Sequence, residues 1–135
     1  MTVHEYNNKG GKITFKGLIV ENDNYGPGSG VYVVDVEKGR MGAAFADTFP
    51  DHCKASVRYA IASSPNWPET LDEVAADEIS KLDGHTKADY YDRYSDLTGY
   101  LWTEENAIVG GHDLVHLLKF NVGKYLWMEV EYIYG

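Results

Sequence analysis

Cysteine is almost missing from this chain of 135 residues: Cys53 stands alone, so no intrachain disulfide framework exists and nothing calls for an oxidising compartment. No apolar run is long enough to cross a membrane, and Met1 to Lys12 lacks the apolar core of a signal peptide. A cytoplasmic location without membrane contact is therefore expected. Positive charge is short: 12 Lys and Arg face 21 Asp and Glu, a net charge of −9 with His neutral. Such a chain is not drawn to phosphate backbones by bulk electrostatics, so no direct nucleic-acid partner is expected. Low-complexity tracts, internal repeats and linkers long enough to divide the chain are absent from the sequence, which predicts one domain over 1–135.

What the chain does have is tyrosine, eleven in all, and β-branched stretches between glycines, a strand-favouring composition. Lys12 to Val20 sets Ile13, Phe15, Gly17 and Ile19 against Lys12, Thr14, Lys16 and Leu18, the period of a strand with one apolar face. Asn22 to Gly30 is turn chemistry, and Val31 to Glu37 reads as a second strand, making a hairpin with a glycine-rich tip. Met41 to Phe49 fits a short strand or a loop. Lys54 to Ser63 reads as a strand, with a helix as the competing assignment, and Pro65 and Pro68 punctuate the loop that follows. Thr70-Leu71-Asp72-Glu73 is a capping-box pattern, and Leu71, Val74, Ala75, Ile79 and Leu82 recur at helical spacing before Gly84, predicting a helix over 70–82. Lys87 to Tyr94 shows no clear period, and Thr98 to Thr103 fits a strand. Gly110-Gly111 precedes a predicted helix over 112–120, with Leu114, Leu117 and Leu118 inward. Lys124 to Tyr134 is the strongest strand, with Leu126, Met128, Val130, Tyr132 and Tyr134 on one face. The sum is an α+β fold: a mainly antiparallel sheet with two helices.

The charge is localised. Between Glu69 and Asp113 there are 12 acids and 3 bases, a net −9, whereas the remainder carries 9 of each and is neutral. A solvated face that keeps the chain soluble explains this, and so does an electrostatic surface for a basic partner. The same window carries Asp89, Tyr90, Tyr91, Asp92, Tyr94 and Asp96, then Tyr100, Trp102, Glu104 and Glu105. Tyrosine offers large, rigid contact area with a polar tip, which suits interfaces. A nucleic-acid stacking platform needs cations beside its aromatics, and here the neighbours are acids. These ten residues are the expected partner-binding set, directed at a protein with a basic surface. Exposed sheet edges also admit self-association.

Chemistry has few candidates. His112-Asp113-Leu114-Val115-His116 places two histidines at metal-ligand spacing if all five lie on one helix. A third ligand is then required, and Glu129, Glu131, His85 and His52 qualify by type only. A helix opening at Asp113 explains the same residues without metal, with His112 as the cap and the Asp113 carboxylate in the first turn, at the positive end of the dipole. Gly26-Pro27-Gly28-Ser29-Gly30 lacks the lysine of a phosphate loop and leads into a strand, so a hairpin tip is expected. Cys53 reads as a small buried thiol, and Glu104-Glu105 as paired carboxylates or an exposed turn. No catalytic residue and no cofactor are expected.

Tyr94 to Glu105, followed by Gly110-Gly111-His112-Asp113-Leu114 and Gly123-Lys124-Tyr125-Leu126, resembles the C-terminal part of small uncharacterised proteins of bacteriophages and prophages of Gram-positive bacteria. The likeness covers about the last third of the chain and carries no catalytic signature. In that group a carboxylate often stands where this chain has His116, which argues against a metal pair. The resemblance implies a small acidic accessory factor that binds, and inhibits, a host nucleic-acid-handling or defence protein. A sponge for a nucleotide-like small molecule and a metal-dependent hydrolase on His112 and His116 are the competing expectations.

Overall fold

A computed structural model describes residues 10–22, 29–35, 37–38, 42–94, 97 and 101–134, and for 92–94 and 101–102 it describes the backbone alone. Strand β1 (Gly10–Asn22) pairs antiparallel with β2 (Gly30–Val34), in register from Leu18↔Val34 to Asn22↔Gly30. This is the hairpin the alternation predicts; its tip at 23–28 lies outside the described residues. On its other side β1 pairs with β7 (Tyr125–Ile133), the strand of strongest pattern, and β7 pairs in turn with β3 (Lys54–Ala62). The sheet continues with β4 (Ser80–Tyr94), β5 (Leu101–Val109) and β6 (His112–Asp113) in the order β2-β1-β7-β3-β4-β5-β6, and every neighbouring pair is antiparallel. The fold is thus α+β and mainly sheet, with two short α-helices among the described residues: α1 (Phe45–Thr48) and α2 (Leu114–Lys119).

Strand β4 (Ser80–Tyr94) serves two partners. Its first half pairs with β3, from Tyr59↔Ser80 to Lys54↔His85, and its second half pairs with β5 (Leu101–Val109), from Thr86↔Val109 to Tyr94↔Leu101. At the changeover the Thr86 amide donates to the Cys53 carbonyl at 2.8 Å and the Gly110 amide to the His85 carbonyl at 3.1 Å. Gly84 sits there at φ +152°, and a Cβ on it would lie 2.6 Å from the Gly110 Cα. Only glycine permits that backbone conformation and that approach. The sheet curls past this point until its far parts meet. Val31 N–H donates to Glu105 Oε2 at 3.2 Å, and the Tyr90 hydroxyl donates to the Ser29 carbonyl at 2.8 Å.

The inner face of the curl holds the main core. Phe15, Phe45 and Phe49 pack as a ring cluster with centroids 4.6 to 6.2 Å apart, and Leu126, Met128, Val130, Val57 and Val109 join them. The short helices carry Phe45, Ala46, Leu114, Val115 and Leu118 into it; within the segment read as a short strand or a loop, Phe45–Thr48 is a helical turn, and Met41 lies outside the described residues. A smaller cluster forms on the outer face, where Leu71, Ala60 and Trp127 are buried beneath Trp67, Val74 and Ile79. The strand period of Lys54 to Ser63 prevails over the helical alternative for this reason: Ala55 and Val57 meet one core and Ala60 the other.

Several boundaries differ from expectation. The helix predicted over 70–82 is two 3₁₀ turns, Leu71–Glu73 and Ala76–Glu78, followed by the start of β4. The capping pattern is used, since Glu73 Oε2 accepts from the Thr70 amide at 3.1 Å. Propagation fails because Val74 and Ala75 are extended and because Ser80 to Leu82 is taken as the pairing partner of Val57 to Tyr59. Tertiary pairing overrides the local period. The helix predicted over 112–120 is shorter: His112–Asp113 form β6, and Asp113 is the N-cap, its carboxylate accepting from Val115 N at 3.0 Å. Glu104 and Glu105 lie inside β5, not in a turn.

Candidate functional site

The pleat decides what the ten expected partner-binding residues can do. Along β4 and β5 successive side chains alternate between the curled interior and the outside. Ala88, Tyr90, Glu105, Ala107 and Val109 point inward, where Ala88↔Ala107 and Tyr90↔Glu105 are cross-strand pairs. Asp89, Tyr91, Glu104 and Asn106 point outward, through the pairs Asp89↔Asn106 and Tyr91↔Glu104. The Tyr91 hydroxyl donates to Glu104 Oε2 at 2.8 Å, and Tyr91 is exposed. Of the expected set, then, the structure brings Asp89, Tyr91 and Glu104 together on the outer face. Tyr94 lies in β4 and Trp102 in β5, and Asp92 also lies in β4, their side chains outside the description; Asp96 and Tyr100 lie outside the described residues.

Glu105 departs from the expectation of an exposed acid. Its side chain is 4% exposed, and its carboxylate lies 3.6 Å from Lys119 Nζ while accepting from the Val31 amide. Burial pushes its pKa above the usual glutamate range, and the Val31 amide and Lys119 pull it back. Gly30, at φ +128°, makes room: a Cβ there would stand 2.6 Å from Glu105 Oε2. Glu105 therefore joins β2, β5 and α2 across the closure of the sheet. No local pattern announced this, because both parities of β5 carry apolar residues: Ala107 and Val109 on one, Ile108 on the other.

The remaining acids of the negative window divide by position. Glu69, Asp72, Glu73, Asp77 and Glu78 are exposed on the segment that covers Trp127, and Asp83 is exposed on β4. Asp72 is drawn into structure by Arg58, whose guanidinium donates to it at 2.6 Å and to Glu129 at 2.8 Å. That hydrogen bond holds the Asp72 carboxyl below the usual aspartate range. Arg58 was invisible as a functional residue in the sequence; its role depends on β3 lying beside β7 beneath the 69–79 segment.

The histidine pair does not form a helix face. His112 precedes the cap in β6, and His116 lies on α2 with its ring edge-on to Phe120 at 4.8 Å. Among the candidate third ligands, Glu129 accepts from Arg58 and pairs with Lys12 at 3.2 Å, and His52 lies 3.5 Å from Asp51. Among the described residues no three His, Cys, Asp or Glu side chains gather as a metal site. Cys53 is buried, with its Sγ 3.3 Å from the buried Thr86 hydroxyl. Among the described residues no helix is long and apolar enough to cross a membrane.

The surface also carries open grooves. One of about 440 Å³ is lined by Lys16, Asp35, Glu37, Pro65, Trp67 and Tyr125, beside the outer cluster. Another of about 440 Å³ runs along α2 between Tyr59, His116 and Phe120, which is 76% exposed. No family model, curated protein or solved structure matches the chain.

Proposed function

We propose that this chain is a small acidic accessory protein that binds a basic partner through the outer face of β4 and β5. The observation that carries the reading is the convergence of Asp89, Tyr91 and Glu104 on one face of two paired strands. A rigid sheet presents them without the entropic cost of ordering a loop, and the Tyr91–Glu104 hydrogen bond orients both groups. The partner class that suits this face is a protein with a cationic surface, such as a host nucleic-acid-handling or defence enzyme whose substrate site is itself basic. Occupying that site would inhibit it. Exposed acidic residues on the 69–78 segment add long-range attraction, which raises the association rate more than the final affinity.

The test is capture from host-cell lysate by tagged protein at low and high salt, comparing the natural chain with Asp89→Asn/Glu104→Gln and with Tyr91→Ala. The expected result is one basic protein retained at low salt, released at high salt, and bound about tenfold more weakly by each variant, as loss of a well-placed interface contact produces. Equal retention by the variants, or nothing retained, overturns the reading. Matching thermal melts for natural and variant chains show that the fold is intact.

A further inference from the structure

We propose that the groove between Trp67 and Tyr125 is a second binding site, which takes an extended, proline-containing basic segment of a protein partner. This rests on a different part of the molecule from the β4–β5 face and does not depend on it. Four features coincide in the groove. Its walls are two aromatic rings and a proline, Trp67, Tyr125 and Pro65, the surface on which the ridged polyproline II helix packs. Trp67 is held by backbone and ring: its backbone amide donates to the Pro65 carbonyl at 2.9 Å, and its ring stands edge-on to Trp127 with centroids 5.6 Å apart. Trp67 and Tyr125 also each carry a hydrogen-bond donor, an indole N–H and a hydroxyl. A polyproline II backbone presents carbonyls with no internal partners and needs such donors.

Charge completes the match. Asp35 and Glu37 lie on the same groove. Asp35 Oδ1 turns the chain by accepting from the Glu37 and Lys38 amides at 2.9 and 3.3 Å, and the Glu37 side chain is exposed without an ion-pair partner among the described residues. The cation on the groove wall, Lys16, is already committed, with its ammonium 3.8 Å from the centre of the Trp127 ring. Two carboxylates thus face a ligand across an aromatic floor. That arrangement selects arginine or lysine beside the prolines and disfavours an acidic flank. The volume, about 440 Å³, suits a few residues of extended chain rather than a folded element.

The experiment is fluorescence anisotropy with a labelled oligoproline peptide flanked by arginines, set against an oligoalanine peptide with the same arginines and an oligoproline flanked by glutamates. Saturable binding is expected for the first peptide alone, weakening as salt rises. Trp67→Ala, Tyr125→Phe and Glu37→Lys should each weaken it by about tenfold or more. Trp67 also packs on Trp127, so Glu37→Lys, at an exposed side chain, and Tyr125→Phe, which removes only a hydroxyl, decide the matter if Trp67→Ala alters the fold. Absence of saturable binding, equal binding of the alanine peptide, or full affinity in both Glu37→Lys and Tyr125→Phe overturns the proposal.

Discussion

Glu105 shows how one residue's register changes its meaning. Read along the chain it is the second half of an acidic pair; in the pleat it is the carboxylate that meets the Val31 amide and Lys119 where the sheet closes. Glu105→Ala leaves the Val31 amide without its acceptor and should lower stability by about 1–3 kcal/mol in urea denaturation. Glu105→Gln retains an acceptor and should cost less. The pH dependence has a definite sign. Because burial raises the folded pKa of Glu105 above its unfolded value, the folded chain takes up the proton first. Its contribution therefore makes the protein more stable as pH falls through the raised value toward the usual glutamate range, and Glu105→Gln should flatten that slope in a series of melts. By contrast His116, exposed on α2, should tolerate Ala within about 0.5 kcal/mol.

At the scale of elements, β4 carries the most information. Its switch from β3 to β5 turns on Gly84, and Gly84→Ala would force a side chain into a positive-φ conformation against the Gly110 backbone. The expected loss is about 1–3 kcal/mol by thermal denaturation, with more if the two strands separate. Helix α2 is short and depends on burial, not on its own propensity. Leu118→Ala on its fully buried side should cost about 2–5 kcal/mol in the same measurement. The cover over Trp127 depends on a clamp instead: Arg58 ties Asp72 to Glu129. The Asp72 part of that clamp is present above the usual aspartate range and is lost as pH falls through the depressed Asp72 value.

For the whole molecule, the two clusters share one strand. Leu126, Met128 and Val130 of β7 enter the inner core, while Trp127 of the same strand is buried outside. Loss of either cluster exposes the other's framework, so far-UV circular dichroism and tryptophan fluorescence should report coincident melting curves. Arg58→Ala should separate them, with fluorescence changing first as the 69–79 cover loosens. Coincident curves in that variant would show that apolar burial alone secures the cover. Charge follows the same division: the exposed acids sit mainly on the cover and on the outer side of β4 and β5, away from the inner core.

Strands β1, β3 and β7 were legible in the sequence alone. The alternation of Lys12 to Val20, Lys54 to Ser63 and Lys124 to Tyr134 is a period of two, and every residue needed to read it lies within one strand. The turn at Gly110-Gly111 and a helix opening beside it were legible for the same reason, being local, although the cap falls on Asp113 and not on His112. Only the tertiary structure decided the rest. Ser80 to Leu82 joins β3 because β3 needs a partner there, although its own spacing reads as helix. The inward turn of Glu105 follows from its pairing with Tyr90, a partner fifteen positions earlier. Trp67 and Tyr125 share a groove across fifty-eight positions of chain. Pairing partners and cavities are set by free energies of contact between distant segments, and no local period encodes which distant segment arrives.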